Sequence, residues 1–116
     1  MKAVFVSPGE GERLEREDRG FRLLAQLPDL EVVEGTFEYG WEGVDPHTHA
    51  DHTDSFYVIE GEVEFLLDGE WRRGGPGTFF SAPPGVEHGF RNPGPGRIRV
   101  VNIHAPSTGF VEQMRQ

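Results

Sequence analysis

Apolar and polar residues alternate along this chain with the two-residue period of half-buried strands, and glycine and proline cut the alternation at short intervals. Short apolar runs of strand length lie at 21-FRLLAQL-27, 30-LEVVEGTFEY-39, 55-SFYVIE-60, 62-EVEFLLD-68, 78-TFFSA-82, 86-VEHGF-90 and 97-RIRVVNIH-104, with a brief 71-WRR-73 among them. Pro28-Asp29, Gly61, Asp68-Gly69, 74-GGPG-77, Pro83-Pro84-Gly85 and 92-NPGPG-96 supply the turns. Eight to ten short strands at this spacing predict an all-β sandwich or closed barrel. The opening apolar run 3-AVFV-6 leads into 8-PGEGERLEREDRG-20, whose charges and glycines predict a solvated connection, with a short helix over Arg13–Asp18 as its alternative. In the tail, Phe110, Val111 and Met114 fall at helical spacing and predict a turn or two covering one end of the barrel.

Parity assigns faces. Asp54, Phe56 and Val58 share one side of their strand, Val63, Phe65 and Leu67 one side of theirs, and Ile98, Val100, Asn102 and His104 one side of the last strand. The other side of the last strand runs from Arg97 and Arg99 to Val101 and Ile103. With Tyr57, Ile59 and Leu66 it predicts an outer apolar patch, and hence a homodimer or an outer layer of N-terminal strands.

Composition narrows the function classes. Nine phenylalanines, two tyrosines and two tryptophans concentrate enough apolar area for one core in a chain of 116 residues. A net charge of −9 speaks against a nucleic acid or an anionic membrane surface as partner. No cysteine is present, which excludes disulfides and thiolate metal sites. With no run long enough to cross a membrane and no signal-peptide pattern, a cytoplasmic location is the expectation by elimination.

Candidate chemistry gathers in 46-PHTHADHTD-54. On a strand, His47 and His49 would present both imidazoles to one face, about 7 Å apart at the backbone. Asp54, five residues on, would add a carboxylate. Neutral imidazole with carboxylate suits Mn, Fe, Ni, Zn or Cu and does not suit calcium.

A second stretch changes the weight of the first. In 77-GTFFSAPPGVEHGFRN-92, Gly77, Pro83, Gly85, His88 and Asn92 stand at the spacing of the second motif of the cupin superfamily, and the chain resembles a cupin. The superfamily's first motif is similar to His47, His49, Asp54 and Gly61, with aspartate where glutamate is usual and Trp41 where a glycine is usual. The resemblance implies a double-stranded β-helix, a jelly-roll barrel holding one divalent transition metal per chain. It implies His47, His49, Asp54 and His88 as ligands. It divides a single structural domain into N-terminal strands and a charged connection completing the barrel (1–39), a core carrying both motifs (40–104) and a tail (105–116).

His52 is a substitute ligand or proton shuttle beside the metal, or else an exposed loop histidine. Phe56, Val58, Phe65, Phe80, Phe90 and His104 are the candidate lining of an apolar pocket. From 47-HTHADHTDSFYVIEGEV-63 to 104-HAPSTGF-110 the layout is similar to that of small quercetin dioxygenase-like cupins. The resemblance implies a metal-dependent dioxygenase or related oxidoreductase on a small organic substrate, aromatic or diketone in kind, with Asp54 or a nearby histidine accepting a proton. The alternatives are a metal-dependent binding or sensing module and, ranked lower, a sugar or keto-acid isomerase.

Overall fold

The computed structural model describes residues 2–116, and turns of the predicted kind divide these described residues into ten strands and one short helix. In chain order the elements are β1 (Arg13–Glu15), β2 (Arg19–Gln26), β3 (Glu31–Phe37), β4 (Val44–His47), β5 (Thr53–Glu60) and β6 (Val63–Leu67). They continue with β7 (Glu70–Gly74), β8 (Phe79–Ala82), β9 (His88–Arg91), β10 (Ile98–Ala105) and α1 (Phe110–Arg115). Two antiparallel sheets result: six strands in the order β1-β2-β3-β10-β5-β8, and four in the order β4-β9-β6-β7. This is the double-stranded β-helix that the resemblance to a cupin implies.

β10 organises the larger sheet. Its burial alternates along its whole length, and it pairs with β3 on one side and β5 on the other. Its inward residues Ile98 and Val100 join Phe37, Phe56, Val58, Val63, Phe65, Phe80 and Phe90 in one core between the sheets. Phe65 and Phe80 stack with centroids 4.7 Å apart, and Phe37 meets Phe90 edge-on at 5.3 Å. Each such pair adds about 0.5–1.5 kcal/mol to what burial alone supplies. Aromatic rings therefore fill the barrel below the candidate site.

Two turns show why their residues are needed. Gly61 joins β5 to β6 with φ 82°, and a Cβ there would lie 2.5 Å from the Arg97 carbonyl oxygen. Only glycine fits. Asn92 ties the 92–96 turn: its amide donates to the carbonyls of Phe37 and Gly96, and its Oδ1 accepts from the Gly94 N–H. The tail is held by Glu31 at the start of β3. Its buried carboxylate accepts from the backbone N–H groups of Thr108, Gly109 and Phe110 on Oε1, and of Val111 on Oε2, at 3.1–3.2 Å.

Some expectations fail. The stretch 8–20 is not wholly a loop and forms no helix: Arg13–Glu15 adds an edge strand to β2, and β2 itself begins at Arg19. Leu66 does not join the outer patch, because β6 belongs to the smaller sheet and Leu66 is buried there. The patch is nonetheless present on the larger sheet. Val101 lies opposite Tyr57, and Tyr57 opposite Phe79, with Tyr57 48% and Phe79 62% exposed.

Candidate metal centre

Four side chains distant in sequence meet where the two sheets approach. β4 ends at His47, whose Cα pairs with that of His88 at the start of β9, so the smaller sheet brings both motifs together. The loop after β4 carries His49 back toward the barrel, and Asp54 enters from β5 on the larger sheet. One nitrogen from each of His47, His49 and His88 and one Asp54 oxygen all lie within 4.8 Å of one another. The Nε2 atoms of His47 and His49 are 3.1 Å apart, and Asp54 Oδ2 lies 3.0 Å from His88 Nε2 and 3.5 Å from His49 Nε2.

Backbone carbonyls orient two of the rings. His47 Nδ1–H donates to Asp45 O at 2.7 Å, and His88 Nδ1–H donates to Val86 O at 2.9 Å. Each ring is thereby turned so that Nε2 faces the cluster, the arrangement that a carbonyl partner imposes on a ligating histidine. Pro83 and Gly85, with Val86 N–H donating to Pro83 O, make the turn that leads into His88. Three imidazole nitrogens and one carboxylate oxygen fit a divalent transition metal.

Electrostatics favours charge separation in the cluster. Burial works against an ionised Asp54, but the hydrogen bonds from His88 and Asn102, with His104 beside it, outweigh burial and hold the carboxyl below its ordinary range. Burial also disfavours a charged His88, yet the Asp54 carboxylate and the Val86 carbonyl raise its pKa. Burial, with His52 nearby, lowers that of His49. His104 is pushed down to about 4, chiefly by burial, and is neutral at physiological pH.

A cavity of about 280 Å³ opens from the cluster, bounded by His47, His49 and Asp54 at one end. Of the pocket residues the sequence suggests, Phe56, Phe90 and His104 line it. Val58, Phe65 and Phe80 do not; they lie in the packed core, where Phe65 stacks on Phe80 and Val58 is fully buried. Other rings supply the wall: Phe21, Phe37, Trp41 and Phe110. Parity in β2 and β3 carries a signal for Phe21 and Phe37. For Phe110 the helical spacing of the tail points only to a cover over one end of the barrel; it reaches the cavity through the docking of α1, where its ring stacks on His104 at 4.1 Å.

His52 is not an exposed loop residue. It is 5% exposed, its Nδ1 pairs with Asp51 Oδ1 at 2.9 Å, and its ring lies 4.2 Å from His49 and 4.8 Å from His104. It faces a neighbouring recess rather than the main cavity, and its Nε2 meets no polar partner among the described residues.

Comparison with known proteins agrees with this architecture. A family model described as a cupin domain matches residues 33–104. The chain is 33% identical over 90 residues to quercetin 2,3-dioxygenase of Bacillus subtilis (strain 168), a match covering 74% of this chain and 26% of that protein's length. The structure of KdgF from a Halomonas species superposes with a TM-score of 0.79 at 28% identity, covering 93% of this chain and 96% of that one. An RmlC-like cupin from Shewanella frigidimarina superposes equally well, at 0.79, with 24% identity and coverage of 91% and 93%.

Proposed function

The chain belongs to the cupin family, and from that premise we propose that it is a metal-dependent dioxygenase or related oxidoreductase acting on a small, planar organic substrate. The observation that carries the proposal is the convergence of His47, His49, Asp54 and His88 within 4.8 Å at one end of an aromatic-walled cavity. These four side chains would hold one divalent transition metal. Bound there, the ion supplies Lewis acidity and an orienting template for substrate oxygens. The likeness to a quercetin dioxygenase supports the reaction class.

The chain's own residues do the rest. Phe56, Phe90, Phe37 and Trp41 would clasp a flat apolar body and exclude water from it, which strengthens every polar interaction in the cavity. Asp54 through Oδ2, or a neighbouring histidine of the cavity, would take a proton from a substrate hydroxyl. His52 lies behind His49, so its part is to steady that ring rather than to touch substrate. A second reading, metal-dependent binding without turnover, draws on Asp54 standing where the cupin motif has glutamate.

The proposal includes a homodimer through the outer face of the larger sheet and a cytoplasmic location. Among the described residues, no helix is long and apolar enough to cross a membrane.

The test begins with elemental analysis of chelator-washed protein reloaded with Mn, Fe, Ni, Zn or Cu, alongside His88→Ala. One equivalent of metal in the parent, lost in the variant, is the expected result. Oxygen uptake is then followed with a flavonol, a β-diketone and a catechol. Uptake that needs the metal supports the oxidoreductase. Ligand-induced thermal stabilisation with no oxygen consumed supports the binding module instead, and a parent that holds no metal overturns both.

A further inference from the structure

We infer that Asn102 and His104 are positioning residues that make Asp54 a one-oxygen ligand, engaging Oδ1 so that Oδ2 points into the histidine cluster; the inference rests on the metal reading above. Register sets up the arrangement. β10 lies beside β5 with His104 opposite Asp54 and Asn102 opposite Phe56, so both inward side chains of β10 flank the aspartate. Asn102 Nδ2 donates to Asp54 Oδ1 at 2.7 Å and to the Ser55 carbonyl at 2.9 Å. His104 Nε2–H donates to Asn102 Oδ1 at 3.1 Å and stands 3.3 Å from Asp54 Oδ1, so it holds Asn102 against the aspartate.

All three side chains are buried. Asn102 thus donates to Oδ1 and is itself held by His104, while Oδ2 is left to the ring nitrogens of His88 and His49. Phe110, stacked on the far side of His104, holds that ring in plane.

The arrangement answers a problem of reach. Aspartate is one methylene shorter than the glutamate of the cupin motif, a loss of ~1.5 Å. A short carboxylate that could rotate freely would meet the three imidazoles only part of the time. Fixing Oδ1 removes that freedom and leaves one oxygen correctly placed. On this account, the aspartate at position 54 and the asparagine at position 102 are a matched pair. A glutamate at 54 would reach the cluster without help, and the asparagine would then matter less.

The test uses cobalt(II) as probe, with affinity measured by chelator competition and coordination read from the visible d–d band. Parent, Asn102→Leu, Asp54→Glu and the double variant are compared. Expected for Asn102→Leu is a loss of roughly 10- to 100-fold in affinity, as for other groups that orient a ligand, with an altered d–d band. In the Asp54→Glu background the same change should cost a clearly smaller factor. Folded Asn102→Leu protein with the parent's affinity and band overturns the inference, and so does an equal loss in both backgrounds. Should Asn102→Leu fail to fold, His104→Leu against His104→Gln decides. Glutamine keeps a donor at the same reach and should hold the parent's affinity, whereas equal losses in both overturn the positioning role. A parent that takes up no cobalt overturns both this inference and the metal reading, whereas an unchanged Asn102→Leu in a cobalt-binding parent overturns this one alone.

Discussion

Glu31 is a buried carboxylate that takes its hydrogen bonds from backbone rather than from a cation. Burial alone would raise its pKa, but four amides from the tail outweigh burial and lower it. The sign of the pH effect follows: a depressed folded-state pKa contributes stability above the ordinary carboxylate value of about 4.3, and that stability is lost as pH falls through the lower folded value. Glu31→Gln should cost on the order of 2–4 kcal/mol at pH 7, because one side-chain N–H group would then face backbone donors. Thermal melts from pH 7 to pH 3 should show a shallower acid decline in the variant than in the parent. Residues of this kind were hard to read from sequence. A charged residue at an inward parity position gives no sign of its partner when that partner is backbone 77–80 residues away. His47, His49, Asp54 and His88 were legible because their spacing matches motifs, whereas Asn102 was visible only as an inward parity position.

At the scale of elements, the hairpins set the geometry of the site. The β5–β6 turn keeps Asp54 and Phe56 on a strand whose far end is closed by Gly61. Gly61→Ala would force a left-handed φ on a residue with a side chain and drive its Cβ against the Arg97 carbonyl. The expected cost is about 2 kcal/mol or more, seen as a fall of roughly 6–12 °C in the thermal midpoint. Strands whose burial alternates cleanly, such as β3 and β10, announce themselves in the sequence. β1 does not: three residues at a sheet edge need only backbone pairing, and 13-RLE-15 lacks an apolar face to betray it. The reverse holds for 3-AVFV-6, where apolar composition suggests burial but no neighbouring strand pairs with it. Leu66 shows a third limit, since parity tells which side of a strand a residue faces and not which sheet the strand joins.

At the scale of the whole molecule, the outer face of the larger sheet is the surface a second copy would cover. Val101, Tyr57 and Phe79 form a row across three strands, bordered by the Arg99 pairs with Glu34 and Glu60. Light scattering after size-exclusion chromatography should give a dimer for the parent and a monomer for Phe79→Asp, with the metal content of the two unchanged. A monomeric parent would remove the dimer from the proposal. The division into two sheets has a further consequence for how the protein is made. The ribosome delivers His47, His49 and Asp54 first, His88 much later, and Asn102 and His104 later still. Since β10 must slot between β3 and β5, the larger sheet closes only after nearly the whole chain has emerged. A nascent chain therefore offers a passing metal ion only scattered, mobile histidines. If the proposed metal site holds, its four ligands would come together only in the folded chain, and uptake of the ion would follow folding.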